Sequence, residues 1–134
     1  MKPKSQKTML LEGKVVSGKS EGTKFTSFPW VKKQITEKLG FTPYLGTLNI
    51  ELNRDSIRLR KALDKKEAIE ISPPTGFCRG ICFRARLRNI VDCAIIIPEV
   101  SGYSENIVEI IADRNLRETF QLKDGGFVQI EITF

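Results

Sequence analysis

The stretch GKVVSGKSEG, residues 13–22, admits two incompatible readings. As a pattern, Gly13-x-x-x-x-Gly18-Lys19-Ser20 satisfies the P-loop signature without a mismatch. A P-loop needs a strand that ends at the first glycine, a curled backbone cradle, and a helix opened by Lys-Ser. Here the centre is Lys14-Val15-Val16-Ser17, and two adjacent β-branched valines favour extended backbone, so the strand runs through the motif. After Ser20 the segment EGTKFTSFP (21–29) holds Gly, two Thr and Pro without apolar recurrence at helical spacing, so no helix is expected there. No alternating βα units follow. The stretch therefore predicts a strand that ends at Ser17-Gly18 and a lysine-bearing, glycine-containing loop. Such a loop can hold phosphate through backbone N–H groups and ammonium charge.

Outward from that corner the chain reads as short strands. Residues 9–17 form the first. VKKQITEKL (31–39) places Val31, Ile35 and Leu39 at helical spacing, and Gly40 stops that helix. GTLNIEL (46–52) alternates as a half-buried strand. Residues 53–66 are charged and irregular, with room for one helical turn. A short strand at 67–71 is closed by the turn signal SPPTG (72–76). Further strands are expected at 81–90, 94–98 and 107–112, then a short helix at 115–120 and a KDGG turn at 123–126. A final strand at 127–134 puts Val128, Ile130, Ile132 and Phe134 on one face. Many short strands and few helices predict a mainly β, closed or nearly closed barrel.

At 134 residues the chain is one domain by size, a short basic tail at 1–8 followed by the folded part at 9–134. No apolar run approaches the ~20 residues of a membrane-spanning helix. Three cysteines, Cys78, Cys82 and Cys93, suit a reducing, cytoplasmic compartment and not a disulfide framework. Cys78-x-x-x-Cys82 reads as half of a zinc site without a second half, or as small apolar residues on strands. The sequence contains no histidine. That excludes Ser-His-Asp and Cys-His nucleophile systems, imidazole-ligated zinc and histidine general bases. A metal must then be held by oxygens, which favours Mg²⁺, and a general base is most simply a carboxylate. The net charge of +6 points to an anionic partner.

Several residues carry possible chemistry. Thr47 and Asn49, two apart on a strand, point to one face and offer two neutral hard oxygens to Mg²⁺, or else form a solvent-facing polar pair. Arg84, Arg86 and Arg88 alternate, which suits either nucleic acid or the solvated face of an outer strand. Glu109 is a lone carboxylate in IVEII (107–111), facing solvent or a pocket. Trp30, Tyr44 and Tyr103 can stack on a flat ring or simply pack.

These pieces recur together in a known order. The string Glu12-Gly13-x-Val15-Val16-Ser17-Gly18-x-x-x-Gly22 is followed by Leu39-Gly40-Phe41-x-Pro43-Tyr44-x-Gly46-Thr47-Leu48-Asn49. Ile95-Ile96-Ile97-Pro98 comes next, then Val108-Glu109-Ile110-Ile111-Ala112 with Leu116-Arg117-Glu118-x-Phe120-x-Leu122-Lys123-Asp124-Gly125. This arrangement resembles the archaeal CTP-dependent riboflavin kinases over residues 9–134, with little of the likeness in 53–90. The resemblance implies a cradle-loop barrel of six main strands. It also implies transfer of the γ-phosphate of CTP to the 5′-hydroxyl of riboflavin, giving FMN and CDP. Carried over, Gly18, Lys19, Ser20, Glu21, Gly22, Thr23 and Lys24, with Arg114, Asn115, Leu116 and Arg117, would hold the nucleotide. Thr47 and Asn49 would hold Mg²⁺. Ser101 and Glu109 would contact the flavin, and Glu109 is the candidate base for the ribityl hydroxyl.

Three positions depart from the family pattern: Gly126 where Asp is usual, Asp113 where Pro is common, and Ser101 in place of Thr. Many relatives carry an N-terminal helix-turn-helix domain; none is expected here, and the expectation is a monomer that binds neither membrane nor nucleic acid. Two rival readings are a basic swapped-hairpin barrel that binds DNA and a flavin- or nucleotide-binding barrel without catalysis.

Overall fold

The computed structural model describes residues 8–17 and 21–134. Seven strands are β1 (Thr8–Val16), β2 (Leu48–Leu52), β3 (Ile69–Ile71), β4 (Gly80–Leu87), β5 (Val91–Pro98), β6 (Ile107–Ile111) and β7 (Phe127–Thr133). Four helices are α1 (Glu21–Thr26), α2 (Pro29–Leu39), α3 (Arg54–Lys61) and α4 (Leu116–Phe120). The strands hydrogen-bond in the order β3-β4-β5-β6-β2-β1-β7, and β7 returns to β4. Every pairing is antiparallel. Six strands thus close a barrel, and β3 lies against β4 at Ile69↔Cys82 and Ile71↔Gly80, on the stretch that β7 does not reach. Residues 1–7 of the expected tail lie outside the described residues, and Thr8 already pairs with Thr133.

The two faces of the wall bury different sets. Leu11, Val15, Ile50, Phe83, Leu87, Ile95, Val108, Ile110, Val128, Ile130 and Ile132 fill the barrel. Their neighbours Cys82, Ala94, Ile96 and Ile111 face outward and are covered by Phe25 of α1 and by Val31, Ile35 and Leu39 of α2. A strand buried on both faces loses alternation, which is why Ile95-Ile96-Ile97 reads as a continuous apolar run. Burial pushes the thiols of Cys82 and Cys93 up to about 12, so both behave as small apolar side chains.

The P-loop reading fails on topology. β1 continues through Val15 and Val16, which pair with Ile50 and Asn49 of an antiparallel neighbour. The expectation that no helix follows is corrected, however: Glu21–Thr26 is α1. Its stability is tertiary, because EGTKFT offers little intrinsic helicity. Phe25 docks where Gly80 leaves room, so close that a Cβ at Gly80 would lie 2.5 Å from the ring. Thr26 Oγ1 donates to Gly22 O at 2.9 Å. Phe25 also meets Trp30 edge-on at 5.6 Å, which ties α1 to α2.

Two further expectations shift. Residues 54–61 form the full helix α3, opened by Asn53 Oδ1 accepting from Ser56 N at 2.9 Å, instead of a single turn. The strand expected at 81–90 ends at Leu87, since Arg88 and Asn89 have φ of 50° and 55° and make a tight turn closed by Ile90 N–H to Leu87 O. The arginine stripe is therefore broken. Arg84 donates to Lys38 O and Leu39 O, Arg86 pairs with Asp92, and Arg88 lies over the Phe120 ring. Among the described residues no helix is long and apolar enough to cross a membrane.

Candidate active site

The register places one row of side chains along the outer wall. Val16 stands opposite Asn49, Asn49 opposite Glu109, and Glu109 opposite Ile96. Because Val108 and Ile110 point into the barrel, Glu109 must point out of it, and there α1 covers it. Glu109 is 3% exposed. Its Oε2 accepts from Gly22 N at 2.7 Å and from the Tyr103 hydroxyl at 2.5 Å, and its Oε1 accepts from Thr47 Oγ1 at 2.8 Å. Gly22 is glycine for a steric reason, since a Cβ there would lie 2.7 Å from the Glu109 carboxyl carbon. Burial and the Glu109 bond push the Tyr103 phenol well above its ordinary range, so it remains a donor.

Thr47 is the junction of the site. Its Oγ1 lies 2.8 Å from Glu109, 3.0 Å from Asn49 Oδ1 and 3.2 Å from Thr23 Oγ1. Its single proton serves one acceptor at a time. Thr47 Oγ1 and Asn49 Oδ1, 3.0 Å apart, are two neutral hard oxygens on one face, a donor type that suits Mg²⁺. Among the described residues no group of three or more Cys, Asp or Glu side chains forms a metal cluster, so such an ion would need oxygens from its substrate.

Three cavities are lined by residues of this network: Thr47 lines one, Glu109 a second, and Tyr103 both the second and a third. One of ≈ 240 Å³ is lined by Tyr44, Gly46, Thr47, Arg114, Asn115 and Arg117. A second of ≈ 140 Å³ is lined by Ser17, Glu21, Asn49, Tyr103 and Glu109. A third of ≈ 730 Å³ opens where Ile81, Phe83 and Ile97 reach the end of the barrel, and it is bordered by Ser101 and Tyr103. Tyr103 thus separates the largest cleft from Glu109.

The sequence-predicted residues fall into place unequally. Gly18, Lys19 and Ser20 lie outside the described residues. Glu21 and Lys24 are exposed on α1, while Gly22 and Thr23 reach the Glu109–Thr47 pair. Ser101 is exposed at the large cleft, in a different cavity from Glu109. Asn115 caps α4 by accepting from Glu118 N, and Leu116 is buried in the barrel core and also lines the ≈ 240 Å³ cavity. Arg114 pairs with Asp113, a departure from the family pattern, at 2.6 Å and holds that carboxyl below its usual range.

Sequence reasoning missed two features. The sequence offers Tyr103 as a ring for stacking or packing, yet its hydroxyl serves Glu109. Arg117 reaches Val16 O, Ser17 Oγ and Asp124, joining α4 and the turn before β7 to the end of β1. The Arg117 guanidinium and Ser17 hydroxyl hold the Asp124 carboxyl below its usual range. No local pattern signals either feature. The Gly126 departure sits in a turn closed by Gly126 N–H to Lys123 O and zipped to Val15 by two backbone bonds.

Comparison with known proteins identifies the family. Residues 15–132 match the family CTP-dep_RFKase, described as Domain of unknown function DUF120. The chain is 42% identical to a riboflavin kinase of Pyrobaculum islandicum over 91% of its own length and 59% of that protein. It is 36% identical to a riboflavin kinase of Archaeoglobus fulgidus, over 93% of this chain and 55% of the relative. A riboflavin kinase of Pyrobaculum aerophilum is 39% identical, over 91% and 60% respectively. The chain thus spans between 55% and 60% of the length of these relatives. The family match runs from the end of β1 into β7 and takes in β2 to β6 together with Glu109, Thr47 and α1; the chain belongs to the CTP-dep_RFKase family.

Proposed function

We propose that this chain is a riboflavin kinase that transfers the γ-phosphate of CTP to the 5′-hydroxyl of riboflavin, giving FMN and CDP. The observation that carries the reading is that residues lining two clefts hydrogen-bond one carboxylate, Glu109. Thr47 lines the basic cavity beside Arg114 and Arg117, and its hydroxyl is 2.8 Å from Glu109. Tyr103 lines the large cleft, apolar along Ile81, Phe83 and Ile97 and charged at its edge, and bonds the other oxygen of the same carboxylate. A nucleotide and a flat, largely apolar acceptor would therefore face each other across Glu109.

Phosphoryl transfer asks mainly for alignment and charge stabilisation. Residues 18–24, Arg114, Asn115, Leu116 and Arg117 hold the nucleotide, the cations against phosphate oxygens and Leu116 at the cavity wall. Thr47 and Asn49 hold Mg²⁺, which supplies charge neutralisation at the triphosphate oxygens when bound. Ser101 and the large cleft hold the flavin. A carboxylate has about four acceptor sites, and Glu109 uses three, so one remains for the ribityl hydroxyl. Glu109 takes that proton as the ribityl oxygen bonds to the γ-phosphorus and the bond to the bridging oxygen of CTP breaks.

The test is incubation with riboflavin, Mg²⁺ and each of CTP, ATP, GTP and UTP, with FMN followed by chromatography. FMN with CTP alone is expected. FMN with every triphosphate would overturn the donor assignment and keep the kinase. No FMN would overturn the activity, and duplex DNA titrated across a salt series would then separate a DNA-binding barrel, which shows steep salt dependence, from a silent flavin binder.

A further inference from the structure

The ≈ 730 Å³ cleft is lined by a cation, Arg60, whose Nε has no hydrogen-bond partner among the described residues. Its wall is apolar where Leu63, Ile81, Phe83, Ile97 and Val100 line it, and α3 and the segment after it edge it with charge. Most of that charge is already matched: Glu99 accepts from Arg79 at 2.8 Å and lies 3.9 Å from Lys65, and Glu105 lies 3.2 Å from Lys61. Arg60 differs. It is half-buried, and its Nε is buried with no hydrogen-bond partner among the described residues. A buried guanidinium N–H without an acceptor is costly, and native proteins seldom leave one without a reason. Arg60, Tyr103 and Glu105 line the same cleft, and burial pulls the Arg60 guanidinium below its usual range against the opposing pull of Tyr103 and Glu105.

We infer that Arg60 is a specificity-determining residue that donates to the N1/C2=O edge of the flavin ring in this cleft, an inference that rests on the kinase reading above. The ribityl chain leaves the ring at N10, two bonds from N1, and its terminal hydroxyl must reach Glu109. Tyr103 stands between the cleft and Glu109, so the ribityl end of the ring lies near Tyr103, and Arg60 lines the same cleft. The dimethylbenzene end then lies among Ile81, Phe83 and Ile97. The two acceptors at N1 and O2 suit the planar fork of a guanidinium better than the point charge of a lysine.

Calorimetric titration of riboflavin and of 1-deazariboflavin, which carries C–H in place of N1, tests this. For the wild type, riboflavin should bind at least about tenfold more tightly than the deaza analogue. Arg60→Met should weaken riboflavin by about tenfold to a hundredfold, the range for a lost charge-assisted hydrogen bond, and should erase the difference between the two ligands. Arg58→Met, an exposed arginine on the same helix, should leave the affinity unchanged. Equal riboflavin affinity in wild type and Arg60→Met overturns the inference and leaves the kinase reading intact. Wild type that binds no riboflavin overturns both. Should Arg60→Met not fold, equal binding of the two ligands by the wild type overturns the inference by itself.

Discussion

Replacing Gly22 by alanine sets two effects of opposite sign against each other. In a helix interior alanine is favoured over glycine by ~1 kcal/mol and by less in the first turn, where Gly22 lies, so on propensity alone α1 should gain up to that amount. The new Cβ would lie 2.7 Å from Cδ and Oε2 of Glu109 and 2.8 Å from Oε1, whereas ordinary contact begins at 3.4 Å. The helix or the carboxylate must therefore give by about 0.7 Å, the difference between 3.4 and 2.7 Å. Overpacking of this kind costs ~1–3 kcal/mol, and weakening the 2.7 Å Gly22–Glu109 bond adds to it. The net expectation is a loss of ~2 kcal/mol, read as a fall of about 8 °C in unfolding midpoint. Turnover to FMN should drop by about a hundredfold, since Glu109 moves with Tyr103 and Thr47 attached. Thermal and urea unfolding supply the stability readout. In a Glu109→Ala background the clash partner is gone, and the same Gly22→Ala change should stabilise by up to ~1 kcal/mol. A neutral or stabilising Gly22→Ala in the wild-type background would refute the reasoning, as would equal destabilisation in both backgrounds.

Glu109→Gln should lower turnover by at least about a hundredfold and change nucleotide affinity far less; unchanged turnover would remove Glu109 as the base. Thr47→Ala and Asn49→Ala should each raise the Mg²⁺ concentration for half-maximal rate by about tenfold or more, and an unaltered Mg²⁺ titration would put the metal elsewhere. Stability should fall at alkaline pH, because the phenol of Tyr103 and the thiols of Cys82 and Cys93 are raised in the folded state. Their ordinary values are 10.0 and 9.0, so their contribution is complete below about pH 9 and is lost as pH rises toward and beyond about 12. Tyr103→Phe should flatten the part of that fall above about pH 10 in urea midpoints measured from pH 7 to 11; parallel profiles would contradict the phenol's share.

The mismatches between sequence and structure share a cause. The strands were legible where alternation meets one buried face, as in β2 and β7. α2 was legible because Val31, Ile35 and Leu39 recur at helical spacing and Gly40 ends it with φ of 83°. α1 was not, because its apolar contact is a single phenylalanine fitting the space above Gly80, a residue far along the chain. α3 was obscured because its only fully buried residue is Ser56, whose Oγ accepts from Glu12 N at 2.7 Å.

By itself the sequence determined the class of fold and the chemistry open to it. Alternating apolar residues demanded a closed wall, and the lack of histidine confined acid–base chemistry chiefly to carboxylates and metal binding to oxygens. It also placed Thr47 and Asn49 on one face, since strand periodicity spans only two residues. Only the tertiary structure decided that Glu109 faces outward beneath α1, with Gly22, Thr47 and Tyr103 as its donors. Gly22 and Glu109 are 87 positions apart, and Ser17 and Arg117 are 100 apart. Propensity and periodicity act over a few residues, whereas contacts at such separations exist only once the barrel has closed and brought its two ends together.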